Sequence, residues 1–355
     1  MAVGSAPYRR SRFRMLAACG PMLLAGAVFL GPAVCRAATE EVNVYSSRHY
    51  DTDVRLYAMF TAKTGIVVNL IDGKDDELIE RIRNEGINSP ADVLVTVDAG
   101  RLWRAQEAGL LQPVRSAVLE SAIPPHLREP EGYWFGLTKR ARILVYNKAT
   151  VKPEQLSSYE ALAAPIWKGR VLARSSRNVY NQSLVGALLR ELGTERTEAW
   201  AAGVAANFAR KPQGGDLDQI QAVAAGIGDV ALSNTYYLGR LAASAKPEDQ
   251  ALAARVGIFF PNQDDRGTHV NISGAGVVKT APRPGNAVAF LEYLVSPDAQ
   301  KIFAEGNFEY PVVAGVAEHP VIAAWGAFKE HTLNASLYGR ANADALTLME
   351  RAGWK

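Results

Sequence analysis

The chain has 355 residues, 48% apolar and 21% charged, a composition that excludes a disordered or fibrous chain and leaves room for about two globular domains. Its formal charge of +3 misleads about partners. Residues 1–37 hold five arginines (Arg9, Arg10, Arg12, Arg14, Arg36) and no acid, so the remainder carries 34 basic against 36 acidic side chains, a net charge of −2, with no electrostatic case for nucleic acid or an anionic membrane. Both cysteines, Cys19 and Cys35, lie in the same leading segment. The rest of the chain therefore has no disulfide, no thiolate metal site and no cysteine nucleophile, and any metal must be bound through oxygen and nitrogen.

Residues 1–38 read as an export signal: a basic start, an almost wholly apolar run from Met15 to Val34, then small residues through Ala37 and Ala38. Cleavage is expected near residues 37–38, with the product exported. An N-terminal membrane anchor is the competing reading. Leu16-Ala17-Ala18-Cys19 has the look of a lipoprotein box but precedes any formed apolar run, and Arg9-Arg10 is followed poorly by a twin-arginine pattern; the export route stays open. Beyond residue 38 nothing approaches the roughly 18 consecutive apolar residues of a spanning helix.

In the exported part, Val42–Tyr45 reads as a strand, Ser46-Ser47-Arg48-His49-Tyr50-Asp51 as a polar loop, and 53–63 as a helix stopped by Gly65. A strand over 66–71, a helix over 75–84 and an apolar run over 91–95 come next, an alternation that predicts a largely parallel sheet. Asp75-Asp76-Glu77 is expected to be a solvated helix start. Residues 136–147 and 270–278 read as two long extended crossings. Between them fall strands over 170–173 and 229–232 and helices near 182–192 and 194–206; helices over 285–295, 297–304 and 341–352 complete the chain. Two crossings bracketing a central αβ block predict one lobe inserted in another: residues 39–138 as the first lobe, 139–273 as the inserted second lobe, and 274–355 as a helical part that completes the first lobe and packs across the hinge. A ligand cleft then lies between the lobes.

The chemistry concentrates at strand ends, where open αβ sheets bind ligands. Tyr236-Tyr237 directly follows the strand that ends near Leu232. An isolated pair of this kind is ordinarily one core ring and one surface ring, since neighbours diverge by about 100° on a helix. At a strand-to-helix turn the two converge. His49-Tyr50 and Tyr180 occupy matching strand ends without the apolar periodicity of core aromatics. A phenol titrates near pH ~10, and a bound multivalent cation deprotonates it because the ion dominates the local field. Phenolate is a hard oxygen donor suited to a hard trivalent ion, whereas calcium and magnesium sites use carboxylates and carbonyls. Four phenolates on such an ion leave one negative charge, which Arg48, Arg140 and Arg177 are placed to offset. His126, His269, His319 and His331 are scattered and read as structural. No nucleophile–base set and no phosphate-binding glycine motif is present, so an enzyme is disfavoured.

Taken in order, Val44-Tyr45-Ser46-Ser47-Arg48-His49-Tyr50, Arg140-Ala141-Arg142-Ile143-Leu144-Val145-Tyr146-Asn147, Trp167-Lys168-Gly169-Arg170-Val171, Ser233-Asn234-Thr235-Tyr236-Tyr237 and Asn271-Ile272-Ser273-Gly274-Ala275-Gly276 resemble the ferric-iron-binding periplasmic proteins of bacterial ABC importers, in their tyrosine-rich, cyanobacterial-like branch. Phe290–Pro297 and Phe308–Val312 extend the likeness over nearly the whole exported chain. The resemblance implies an α/β, two-lobed periplasmic binding protein fold (class II, transferrin-like) that closes on Fe(3+) about the two crossing segments. It implies Tyr180, Tyr236 and Tyr237 as second-lobe ligands and His49 and Tyr50 as the first-lobe pair, although members of this branch can leave His49 at the edge of the shell. Other branches complete the shell with a carboxylate and a bound anion such as carbonate. Tyr50 and Tyr180 take those places here, so an anion is not required, although Ser175, Ser176 and Asn178 offer hydrogen bonds to one. The implied partner is the inner-membrane permease of an ABC importer, met by a monomer. The alternatives are the same fold holding a small organic solute or oxyanion, and an iron-protective role without transport.

Overall fold

The computed structural model describes residues 40–48 and 51–355; the segment read above as an export signal lies outside them. Ten strands are present among the described residues: β1 (Glu41–Ser46), β2 (Val67–Asp72), β3 (Val93–Val97), β4 (Leu111–Gln112), β5 (Phe135–Asn147), β6 (Val171–Leu172), β7 (Val230–Asn234), β8 (Val256–Phe259), β9 (Val270–Val278) and β10 (Tyr310–Pro311). They hydrogen-bond in the order β2-β1-β3-β9-β5-β7-β6, with β10 and β8 on β5 and β4 on β9.

The sheet is mixed. The expected parallel pairing holds for β1 with β2 and β3, where helices return the chain, and again for β6 with β7. It fails at the crossings: β9 runs antiparallel to β3, and β5 antiparallel to β9, β7 and β8. A strand entering from the far end of a sheet needs no crossover helix, so it can pair in the opposite sense.

β5 organises the rest. Its residues Phe135 to Ala141 pair with β9, whereas Arg142 to Tyr146 pair with β7. Side chains on a strand alternate in direction, and β5 uses both directions. Ile143 and Val145 enter a large core that also contains Val42, Phe60, Leu102 and Phe290. Leu144 and Tyr146 enter a second core of Trp167, Leu188, Trp200 and Trp354. Helix Asp51–Thr64 meets the first core through Phe60, whose ring is edge-on to Phe290 of helix Pro284–Leu294 at 5.2 Å. The last helix, Asn342–Arg351, contributes Ala345, Leu348 and Met349 to the second core.

Two buried carboxylates stitch the parts together. Asp98, at the end of β3, has φ of 83° and caps helix Ala99–Glu107 by accepting from the Gly100 amide at 2.8 Å. It also accepts from the Ser183 hydroxyl at 2.6 Å, in helix Val179–Leu192, and from the Asn271 amide of β9 at 2.7 Å. Burial raises its carboxyl above the ordinary range, against those hydrogen bonds. Glu309 is fully buried between Arg48, at 3.1 Å, and Arg140, at 3.4 Å.

Candidate metal centre

Three tyrosines are delivered by two strand-to-helix turns. β7 ends at Asn234 and helix Thr235–Ala243 begins at once, so Tyr236 and Tyr237 occupy its first turn. After β6, the turn Arg174–Asn178 closes with the Asn178 amide donating to the Ser175 carbonyl at 3.1 Å, and Tyr180 is the second residue of helix Val179–Leu192. The adjacent rings of Tyr236 and Tyr237 lie 4.3 Å apart between centroids at 31°. The hydroxyls of Tyr180 and Tyr236 are 3.3 Å apart. Tyr236 is buried; Tyr180 and Tyr237 are half-buried.

All three line one cavity of about 620 Å³. Its facing wall comes from the other end of the chain: Ser47 and Arg48 after β1, the start of helix Asp75–Glu85, Val97 and Arg101. His49 and Tyr50, which come directly after Arg48 in the sequence, lie outside the described residues. Asp75 is not the solvated helix start expected of it. It accepts from Ser47 and, at 2.6 Å, from Thr96, and it pairs with Arg101 at 3.1 Å. Asp76 and Glu77 are exposed.

Guanidinium groups surround the phenols. Arg140 and Arg240 stand 5.9 and 5.2 Å from the Tyr236 ring centre, and Arg142 and Arg174 stand 5.9 and 5.5 Å from that of Tyr180. Burial works against the charge on Arg174, but Asp216 and then Tyr237, Tyr180 and Tyr236 outweigh it and raise its pKa. Of the arginines expected from the sequence, Arg48 and Arg140 are buried beside Glu309. Arg177 faces solvent, 85% exposed, with Glu350 3.9 Å away, and does not line the cavity. Ser176 is buried and its carbonyl accepts from Gln182 at 3.1 Å; the Asn178 side-chain oxygen is buried without a hydrogen-bond partner. Arg142, Arg174 and Arg240 join the site without having been expected there. Arg142 shares a strand face with Arg140, and Arg240 comes one helical turn after Tyr236, so both had a legible spacing.

The donors gathered here are phenol oxygens. Among the described residues no group of three or more His, Cys, Asp or Glu is placed to hold one ion. His126 bonds Glu330 at 3.0 Å, His331 bonds Glu191 at 3.1 Å, His319 caps helix Pro320–Ala323, and His269 sits edge-on to Tyr338. A compact set of oxygens that can become anionic, ringed by fixed positive charge, suits a small cation of high charge.

A model of the family described as bacterial extracellular solute-binding protein matches residues 55–330. The chain is 59% identical over 316 residues to iron uptake protein A1 of Synechocystis sp., covering 89% of this chain and 88% of that protein. It is 32% identical over 309 residues to the Fe(3+)-binding periplasmic protein of Serratia marcescens, covering 86% and 89% respectively. Among solved structures, a Trichodesmium protein (IdiA, FutA) in complex with iron and citrate ligands superposes with a TM-score of 0.87 at 62% identity, covering 89% of this chain and 100% of its own. The two-lobed, mixed α/β architecture is that of the class II, transferrin-like binding proteins. The chain belongs to the bacterial extracellular solute-binding proteins, in the group that includes the cyanobacterial iron uptake proteins.

Proposed function

We propose that this protein captures ferric iron in the periplasm and delivers it, as a monomer and without catalysing a reaction, to the permease of an ABC importer in the inner membrane. The observation that carries the reading is the convergence of Tyr180, Tyr236 and Tyr237 on one arginine-ringed cavity. The names of the relatives support the same cargo.

The second lobe, residues 139–273, offers its three phenolates first; residues 39–138, completed by 274–355, then close and bring Tyr50 and His49 to the ion. Closure excludes water and strengthens each ionic contact. Arg174 and Arg240, at 5.5 and 5.2 Å from the Tyr180 and Tyr236 ring centres, offset the phenolate charge, and Tyr50 and Tyr180 take the places that a carboxylate and an anion hold in other branches, so the shell needs no carbonate. The test is a visible absorption spectrum after addition of chelated ferric iron, beside the Tyr236→Phe/Tyr237→Phe variant. The wild type gains a broad phenolate-to-iron band and the variant loses most of it. A wild type that stays colourless and retains no iron overturns the reading. Arg48, Arg101 and Arg240 in the cavity wall favour, as the second reading, a small organic anion held without metal, and the same spectrum separates the two.

A further inference from the structure

Behind the tyrosines lies a buried polar cluster that is not part of the cavity wall. Asp216, the first residue of helix Asp216–Ala224, is fully buried. One of its oxygens accepts from Arg142 Nη1 at 2.6 Å and from the backbone amide of Asn234 at 2.8 Å. Its other oxygen has no hydrogen-bond partner and lies 3.5 Å from Arg174 Nη1. Arg142 is itself buried and forks onward, from Nη1 to the Asn234 side-chain oxygen at 3.1 Å and from Nη2 to the Asn181 side-chain oxygen at 2.8 Å. Asn181 closes the circuit by donating to the carbonyls of Arg174 and Ser175 at 2.9 and 3.2 Å.

The positions of these contacts along the chain matter. Asn234 is two residues before Tyr236, and Asn181 is the residue after Tyr180. One ion pair therefore holds both turns that present the phenols. It also sets the two guanidiniums that lie against the Tyr180 ring. A buried carboxylate between two arginines is costly to assemble and contributes less to stability than its short distances suggest. A planar fork with several fixed acceptors does specify geometry, and lysine cannot reproduce it.

We propose that Asp216, acting through Arg142 and Arg174, is the positioning residue of the three-tyrosine cluster, setting the spacing of its phenol oxygens before any ion arrives. The inference rests on the ferric-iron reading. It is tested on the protein purified from a periplasmic extract, by competing bound ferric iron against citrate and recording the absorption maximum, for Asp216→Asn, Arg142→Lys and Arg174→Gln. Asp216→Asn and Arg142→Lys are expected to weaken ferric binding by about 10- to 100-fold and to move the band maximum, with Arg174→Gln showing a smaller loss of the same kind. A role in folding alone lowers the melting temperature and leaves the band of the iron-loaded protein where it was. If Asp216→Asn does not fold, Arg142→Lys and Arg174→Gln decide, since the first keeps the charge and the second removes a guanidinium that is partly solvent-exposed. A coloured wild type matched in affinity and band by all folded variants overturns this inference alone. A colourless wild type overturns the ferric reading and the inference with it.

Discussion

Replacing Glu309 by glutamine is the most informative single change to the framework around the cleft. The carboxylate is wholly buried, accepts from Arg48 at 3.1 Å and from the Ser273 hydroxyl at 3.1 Å, and lies 3.4 Å from Arg140. Burial alone would raise its pKa; Arg48 and then Arg140 outweigh burial and hold it below the ordinary glutamate value. Glutamine keeps the shape but leaves two buried guanidiniums short of one negative charge. Breaking a buried pair on one side costs about 3–5 kcal/mol. Unfolding a chain of this size releases entropy that converts 1 kcal/mol to about 1.5 °C, so the melting temperature should fall by about 5–8 °C at neutral pH. The depressed pKa also gives a sign in pH. The stabilisation by Glu309 is complete above the unfolded glutamate pKa of about 4.3 and is lost as pH falls through its lower folded value. Calorimetric melts of both proteins from pH 7 to pH 3 should therefore converge on acidification. Melts within about 1 °C of each other at neutral pH, or a gap that stays constant into acid, would refute this account of Glu309.

Two further substitutions test the packing. Trp354 is fully buried one residue from the end of the chain, edge-on to Phe208 at 5.2 Å, and its indole N–H donates to the Arg174 carbonyl at 2.8 Å. Trp354→Ala should cost about 3–5 kcal/mol in a urea titration, with an unchanged slope if the unfolded state is unaffected. Gly274 lies where β9 crosses β5, and a Cβ there would stand 2.6 Å from the Phe135 carbonyl oxygen and 2.7 Å from a Leu102 methyl. Gly274→Ala should destabilise by about 1–3 kcal/mol, and a urea midpoint equal to wild type would show that the strands separate freely.

Much of the fold is legible in apolar spacing. Val270–Val278 coincides with the expected crossing, and the helices near 75–84, 194–206 and 285–295 appear within a residue or two of their expected limits. The apolar run of the other crossing is interrupted by Lys139 and Arg140; β5 is nonetheless continuous, since Arg140 and Arg142 find carboxylates inside the protein. Helices Ala99–Glu107 and Asp216–Ala224 leave no clear mark in the spacing. The first is capped by Asp98 in a backbone conformation no pattern announces, and the second begins at an acid whose partners are 74 and 18 residues away. The site divides in the same way. Tyr180, Tyr236 and Tyr237 are legible because they sit at strand ends, a local property. Asp216 is not, because its role depends on arginines brought near only by the sheet.

Asp98 gives the fold an evolutionary consequence. Its φ of 83° is a conformation in which glycine is the easy occupant. A drift to glycine would relax the backbone but delete the helix cap and the two lateral bonds to Ser183 and Asn271. Asparagine keeps the side chain's size, yet it turns an acceptor into a donor within a ring of donors. Each one-step escape from aspartate trades a local gain for a long-range loss. The position is therefore a bottleneck: lineages that alter it must change helix Val179–Leu192 or β9 at the same time, and divergence among relatives is expected to spare all three together.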